Sequence, residues 1–383
     1  MIRDQEMLDS LVSTLDRFVS EQLIPREKEV ADSGAIPADI AQAMRDLGMF
    51  GLTLPEEFGG MGLTMEEEVT VAFILGRTSP AFRSLIGTNN GIGSLGIVAA
   101  GTKEQKEKYL PKLASGEMIA SFALTEPSSG SDAAALKTRA DKQGDYYILN
   151  GSKRFITNAP HAGLFTVFAR TDQTKAGAAG ISAFLVERNT PGLSLGAIDK
   201  KMGQSGSVTC DVIFENCRVP VSALLAKENE GFKIAMKTLD RGRLHIGAVA
   251  TGAADRLIEE ALRFAAERKQ FGEPIANFQL IQAMLADSKT DAYAARCMII
   301  DAARKRDAGK DITLEASASK LFATEMVGRV ADRAVQIHGG SGYIQEFAVE
   351  RFYRDVRLFR LYEGTSQIQQ LVIARRMLKD LNG

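Results

Sequence analysis

The chain has 383 residues, enough for two or three domains rather than one. Hydrophobic residues make up 45% and charged residues 25%, and the net charge of -1 gives no electrostatic case for nucleic acid or an anionic membrane. Three cysteines and three scattered histidines form neither a disulfide framework nor a metal site, and no apolar run is long enough to span a bilayer.

The N-terminus carries both charge signs at Arg3, Asp4 and Glu6 and reads as neither a signal nor a transit peptide. A reduced, soluble compartment follows: a bacterial cytoplasm, or a mitochondrial matrix if the source is eukaryotic and the chain processed. Leu8, Leu11, Leu15 and Phe18 recur at helical spacing, in a helix that Pro25 should limit. Ile40, Met44 and Leu47 form a second stripe, stopped by Gly48. Thr64 with Glu67, and Thr102 with Gln105, predict capping boxes on two further helices. The small residues from Gly87 to Gly96 suit close packing against a helix or a ligand.

The period then changes. Tyr146 to Leu149, Leu164 to Ala169, Ile181 to Val186 and Val208 to Phe214 are short apolar or alternating runs bounded by turn residues. Asn150-Gly151 is the strongest hairpin signal. After Pro220 helices return over Gly231 to Arg268, Phe278 to Arg306, Leu314 to His338 and Thr365 to Leu381, which suits a four-helix bundle. The chain therefore reads as mainly α with a middle β domain: helical over 1–118, β over 119–222, helical over 223–383. This order is not βαβ, and no G-x-G-x-x-G follows a strand, so a Rossmann site is not expected.

Five segments carry candidate chemistry. The run from Phe122 to Asp132 offers hydroxyls and backbone N–H groups around Pro127. In Lys153-Arg154-Phe155-Ile156-Thr157-Asn158 a ring and a hydroxyl two residues apart face one side of a strand, able to flank a planar cofactor. Arg268 and Phe271 pair a guanidinium with a ring, suited to a pyrophosphate and an adenine. Gln336 to Gly342 closes a helix with glycines. In Arg360 to Gln369, Glu363 lies between Tyr362 and Gly364, and Thr365 can cap the closing helix with Ile368, Leu371 and Val372 as its apolar stripe. A carboxylate drawn out of water has its pKa raised and becomes a useful base near neutral pH. On that stretch alone a surface Glu beside a helix N-terminus is the better reading; the other four segments reverse the order.

Taken together, ALTEPSSGSD, FITN, RKQFGEPI, QIHGGSGY, ERFYRDVR and YEGTSQIQ resemble the acyl-CoA dehydrogenase family over essentially the whole length. The resemblance implies an N-terminal helical domain, a β-barrel-like middle domain and a C-terminal four-helix bundle. It also implies FAD, an acyl-CoA substrate, an electron-transfer flavoprotein as partner, a homotetramer and a place in fatty-acid metabolism. Carried over by motif, Leu124, Thr125 and Ser131 contact FAD, and Phe155 and Thr157 flank its flavin. Arg268 and Phe271 hold the ADP part of a neighbouring subunit's FAD, with Gln336 and Gly340, while Thr365 and Gln367 complete the cofactor site. Asp240 and Arg243 contact the pantetheine, and Tyr362 and Gly364 are counted with the acyl-CoA contacts. Glu363 matches the base that takes the α-proton while the β-hydrogen leaves as hydride to flavin N5. An oxyanion hole, from the Glu363 N–H and an FAD hydroxyl, polarises the thioester.

There are two departures. The family usually has Trp where Phe155 stands. Some relatives place their base at the position of Gly242, which here leaves Glu363 alone. Pro80 to Ser84 also resembles a glutaryl-CoA dehydrogenase segment whose Arg binds a distal carboxylate. Arg83 therefore has two open readings: a substrate-carboxylate ligand, or a helix-end Arg paired with a protein carboxylate or lying in solvent. The expected substrate is short- or medium-chain, with a dicarboxylyl-CoA as the alternative. An acyl-CoA oxidase, a non-oxidising relative and a non-catalytic scaffold are rival classes.

Overall fold

The computed structural model describes residues 1–381; Asn382 and Gly383, at the end of the expected third domain, lie outside the described residues. The first helical region holds α1 (Gln5–Phe18), α2 (Glu27–Ser33), α3 (Ala38–Asp46), α4 (Met65–Leu75), α5 (Pro80–Asn90), α6 (Leu95–Ala100) and α7 (Lys103–Ala114). Both capping boxes form, Thr64 with Glu67 on α4 and Thr102 with Gln105 on α7. Pro25, however, does not end the helical path. The chain passes from α1 through a π turn (Val19–Leu23) and a 3-10 turn (Ile24–Arg26) directly into α2. The proline sits at the start of the 3-10 turn, where a missing N–H costs little.

Helix α4 is buried nearly all round, yet its first turn carries Glu66, Glu67 and Glu68. A helix N-terminus favours such charge, and each carboxylate has a cation: Arg304 for Glu66, Arg3 for Glu67, Arg241 for Glu68. Two of these pairs tie the first helical region to the last.

The middle region is one sheet of β1 (Ala120–Ala123), β2 (Arg139–Gln143), β3 (Tyr146–Thr157), β4 (Leu164–Arg170), β5 (Ile181–Glu187), β6 (Leu193–Leu195), β7 (Thr209–Pro220) and β8 (Leu224–Leu225). Its order is β6-β7-β3-β2-β4-β5-β8, with β1 parallel to β4. One face packs Leu164 and Phe168 against Leu110 and Leu113 of α7; the other closes over Tyr147, Phe165, Phe184 and Phe214. Asn150-Gly151 is not a hairpin turn. It lies inside β3, at a bulge between Leu149 and Gly151 against β7, while Gly144 at φ 58 turns β2 into β3. A bulge needs the same backbone freedom as a turn: Gly151 has φ 147, and a Cβ there would stand 2.5 Å from Thr138 Oγ1. A second irregularity falls between Lys153 and Ile156, where Phe155 adopts φ 59.

The last region contains α8 (Gly231–Glu267), a two-stranded ribbon of β9 (Lys269–Gln270) and β10 (Glu273–Pro274), α9 (Gln279–Asp307), α10 (Thr313–His338), α11 (Ala348–Val356) and α12 (Ser366–Leu381). Its core joins Leu257, Ile299, Met326, Val330 and Phe359. The four expected helices are present, and α11 is an addition, burying Val349, Phe352 and Val356 on one face. Thr365 caps α12 through the Ile368 N–H at 3.2 Å. The expected stripe of α12 is only partly covered in the single chain: Ile368 and Val372 are half-buried and Leu371 is 49% exposed.

Candidate active site

A cavity of about 80 Å³ lies where the three regions meet. Arg83, Gly87 and Gly91 line it from α5 and the following turn, Thr157 from β3, Lys201 and Gln204 from the loop before β7, Arg241, Gly242 and His245 from α8, and Tyr362 and Glu363 from the turn before α12. The loop before β7 is tied to α11: Gln204 N–H donates to the Asp355 carboxylate, and Gln204 Nε2 donates to Asp355 O at 3.0 Å.

The turn that presents Glu363 has two consecutive residues in the left-handed region, Glu363 at φ 54 and Gly364 at φ 88. A non-glycine residue seldom sits there, and neighbouring side chains hold it. Gln369 Nε2 of α12 donates to Glu363 O at 2.9 Å and Gly364 O at 3.1 Å, and Lys320 Nζ of α10 donates to Gly364 O at 2.7 Å. A Cβ on Gly364 would stand 2.6 Å from Gln369 Nε2, so glycine leaves room for this clamp. Gly242 does the same for the carboxylate, since a Cβ there would lie 2.8 Å from Glu363 Oε2. Glu363 Oε2 is buried with no hydrogen-bond partner. Burial pushes the Glu363 pKa up, against the opposing charges of Arg83, Arg243 and Lys320. Glu363 is half-buried as a residue, and its Oε2 is the carboxylate oxygen that is shut off from water and unbonded.

Another part of the wall is a hydrogen-bonded chain of polar side chains. Arg83 Nε donates to His245 Nε2 at 2.8 Å, His245 Nδ1 meets Glu68 Oε1 at 2.9 Å, and Arg241 Nε donates to Glu68 Oε2 at 2.6 Å. Burial, with the Arg83 charge, pushes His245 down, which keeps the imidazole neutral and its Nε2 free to accept. Burial would raise Glu68, but Arg241 and His245 hold it down at about 2. Arg83 thus lies within α5 and pairs with a histidine, which corrects the expectation of a helix-end Arg on a protein carboxylate or in solvent. A Cβ on Gly87, one turn on, would come within 3.0 Å of the guanidinium carbon.

The expected cofactor residues fall into two groups. Leu124 and Thr125 lie beside the strand that bears Phe155 and Thr157, joined by Arg154 N–H to Thr125 O at 2.8 Å. Thr157 lines the cavity; Phe155 is 60% exposed, with the Arg154 guanidinium 4.4 Å from its ring centre. Ser131 lies exposed in the loop beyond Leu124 and Thr125. A hydroxyl in the cavity, an exposed ring and an exposed serine-rich loop near one strand suit a flat, polar-edged cofactor. The second group, Arg268, Phe271, Gln336 and Gly340, is exposed at one end of the bundle, where Phe264 of α8 stacks on His338 of α10. This group does not line the cavity, and Gln367 is exposed on α12. Asp240 and Arg243 pair at 2.7 Å on α8, and Arg243 Nε is buried without a partner.

Family models for the N-terminal, middle and C-terminal domains of acyl-CoA dehydrogenases match residues 4–117, 121–217 and 229–378. The chain belongs to the acyl-CoA dehydrogenase family. It is 44% identical to an acryloyl-CoA reductase (NADH) of Anaerotignum propionicum, over 99% of this chain and 95% of that protein. It is 42% identical to the caffeyl-CoA reductase-Etf complex subunit CarC of Acetobacterium woodii, over 97% and 98%. The structure of butyryl-CoA dehydrogenase from Megasphaera elsdenii matches with a TM-score of 0.94 at 35% identity, covering 99% of this chain and 100% of that one. Acyl-CoA dehydrogenases are FAD-dependent oxidoreductases, so this chain is an enzyme of that class.

Sequence reasoning missed the Lys320 clamp and the His245–Glu68–Arg241 wall. Lys320 had a signal: it stands on the buried stripe of Ala316, Ala323 and Val327, where a charge needs a reason.

Proposed function

We propose that this chain dehydrogenates a short-chain acyl-CoA thioester to the trans-2-enoyl-CoA, with Glu363 as the base that takes the α-proton. The observation that carries the reading is the Glu363 carboxylate, its Oε2 buried and unpartnered, at the wall of a small cavity that Thr157 also lines. Raised by burial, Glu363 accepts a proton more readily than an ordinary carboxylate, and Gly242 leaves it space to do so. FAD, when bound, supplies the acceptor for the β-hydrogen and its electron pair. Leu124, Thr125, Ser131, Phe155 and Thr157 hold the flavin side, with Thr365 and Gln367 completing the site. Arg268, Phe271, Gln336 and Gly340, exposed here, serve the FAD of a second copy in a homotetramer. Arg243, with its buried free Nε and its partner Asp240, binds the pantetheine.

The small cavity, about 80 Å³, is in keeping with a short acyl group. The names acryloyl-CoA reductase and butyryl-CoA dehydrogenase describe opposite directions of one reaction type at short thioesters. The caffeyl-CoA reductase name supports an electron-transfer flavoprotein as electron partner. We take the domain boundaries at 118/119 and 222/223, and a bacterial cytoplasm as the setting.

A second reading, a dicarboxylyl-CoA, is favoured by one observation. Arg83 lines the cavity, and His245 is its one hydrogen-bond partner among the described residues, so its outer nitrogens remain for an anion. Anaerobic titration with butyryl-, isobutyryl-, glutaryl- and palmitoyl-CoA, followed by flavin absorbance, tests both readings. Bleaching by butyryl-CoA supports the first, bleaching by glutaryl-CoA alone supports the second, and bleaching by none removes both.

A further inference from the structure

Lys320 is wholly buried on α10, and the one hydrogen bond of its side chain among the described residues is from Nζ to Gly364 O at 2.7 Å. A buried ammonium needs an anion, because desolvating the charge is expensive. Two carboxylates interact with it, Glu325 on its own helix and Glu363 on the turn. Glu325 is already engaged: Ser366 Oγ donates to it at 2.6 Å, and Arg360 stands 3.3 Å away. Glu363, by contrast, has an oxygen with no partner.

We propose that Lys320 is a positioning residue for the base: its ammonium fixes the Glu363–Gly364 turn through the Gly364 carbonyl and supplies charge that keeps the buried Glu363 carboxylate ionised during turnover. The proposal rests on the reading of Glu363 as the base. Other charged or titratable groups face Glu363 too: Tyr362 beside it, Arg83 from α5, Glu68 from α4, Arg241, Arg243 and His245 from α8, and Lys201 from the loop before β7. Glu68 is engaged by Arg241 and His245, and Lys201 Nζ by Ser207 O at 2.6 Å. Arg83 and Arg243 act on the carboxylate through charge alone. Lys320 differs from both in also gripping the backbone of the turn.

Two substitutions separate the parts. Lys320→Gln keeps a donor for the carbonyl and removes the charge; Lys320→Met removes both. The FAD-loaded enzymes, with Glu363→Gln alongside, are incubated anaerobically with butyryl-CoA in D2O across roughly pH 5 to 9, bracketing the carboxylate and imidazole ranges. Deuterium entry at Cα is followed by mass spectrometry. In both Lys320 variants the acid limb of exchange moves up by about one pH unit, because loss of a nearby positive charge favours protonated Glu363. On the plateau Lys320→Gln keeps most of the rate, and Lys320→Met falls at least about tenfold because its turn is no longer held. An unmoved acid limb in both variants, with Glu363→Gln inert, overturns the role of Lys320 alone. Wild-type-like exchange by Glu363→Gln, or none by the wild type, overturns the base and the proposal with it. If Lys320→Met does not fold, Lys320→Gln decides.

Discussion

Lys153 in the sheet and Lys320 in the bundle are both wholly buried, and burial pushes both down to about 8. Lys153 closes an ion pair with Glu126 at 2.7 Å and also donates to Leu124 O at 3.2 Å. Glu126 in turn accepts the Lys137 N–H at 2.6 Å and the Thr138 N–H at 2.9 Å. Both oxygens of that carboxylate are used, and the result joins the Leu124–Thr125 loop to the Phe155–Thr157 strand. Lys320 grips a carbonyl instead and leaves the carboxylate it faces unbonded. The difference separates a satisfied ion pair from an unsatisfied carboxylate, the pattern that suits the proposed base: the first carboxylate is fully hydrogen-bonded, the second has a buried oxygen left free.

The sharpest test of that contrast is to neutralise each carboxylate. Glu363→Gln should lower turnover by about 10³-fold, within the range for loss of a general base, with FAD content unchanged. The pH profile of the wild type should agree: ionised Glu363 is the active form and its pKa is raised, so activity falls with pH while still above the ordinary Glu range of about 4.3. Glu126→Gln should do the reverse, sparing the chemistry per bound flavin while destabilising the fold by about 3–5 kcal/mol in urea unfolding, the usual effect of breaking a buried pair. Equal losses of turnover per flavin in the two variants would erase the distinction. Gly242→Ala should crowd the Glu363 carboxylate and cut turnover roughly tenfold to a hundredfold, as misplacement of a reacting group does. Arg83→Met should depress activity on glutaryl-CoA far more than on butyryl-CoA; equal effects would make Arg83 part of the wall and no more. Thr365→Ala, which removes the cap of α12 along with a hydroxyl of the proposed cofactor site, should reduce the stability of the flavin-free protein by about 1 kcal/mol.

Local chemistry was readable wherever a few adjacent residues decide the outcome. Thr64 with Glu67 and Thr102 with Gln105 formed their boxes, and Gly48 stopped its helix at φ 67. Asn150-Gly151 misled because a bulge and a hairpin require the same backbone freedom, and only pairing with β7 distinguishes them. Pro25 misled because a tightened helical turn absorbs a proline that an α-helix would not. The Glu363 turn was legible as a motif, but its Lys320 clamp was not: Lys320 lies 44 residues before Gly364, so packing alone brings the two together. The same holds for His245, whose partners Arg83 and Glu68 come from two other helices. The set of Arg268, Phe271, Gln336 and Gly340, proposed to serve the cofactor of a second copy, is exposed, and a single chain does not bring it to the cavity.

The most direct test of Glu363 as the base is an anaerobic titration of the FAD-loaded wild type and Glu363→Gln with butyryl-CoA, reading the flavin absorbance. Bleaching of the wild type, with none in the variant at equal flavin content, is the predicted result. Equal bleaching of both would contradict the account, since a flavin reduced without Glu363 would mean that another group takes the α-proton.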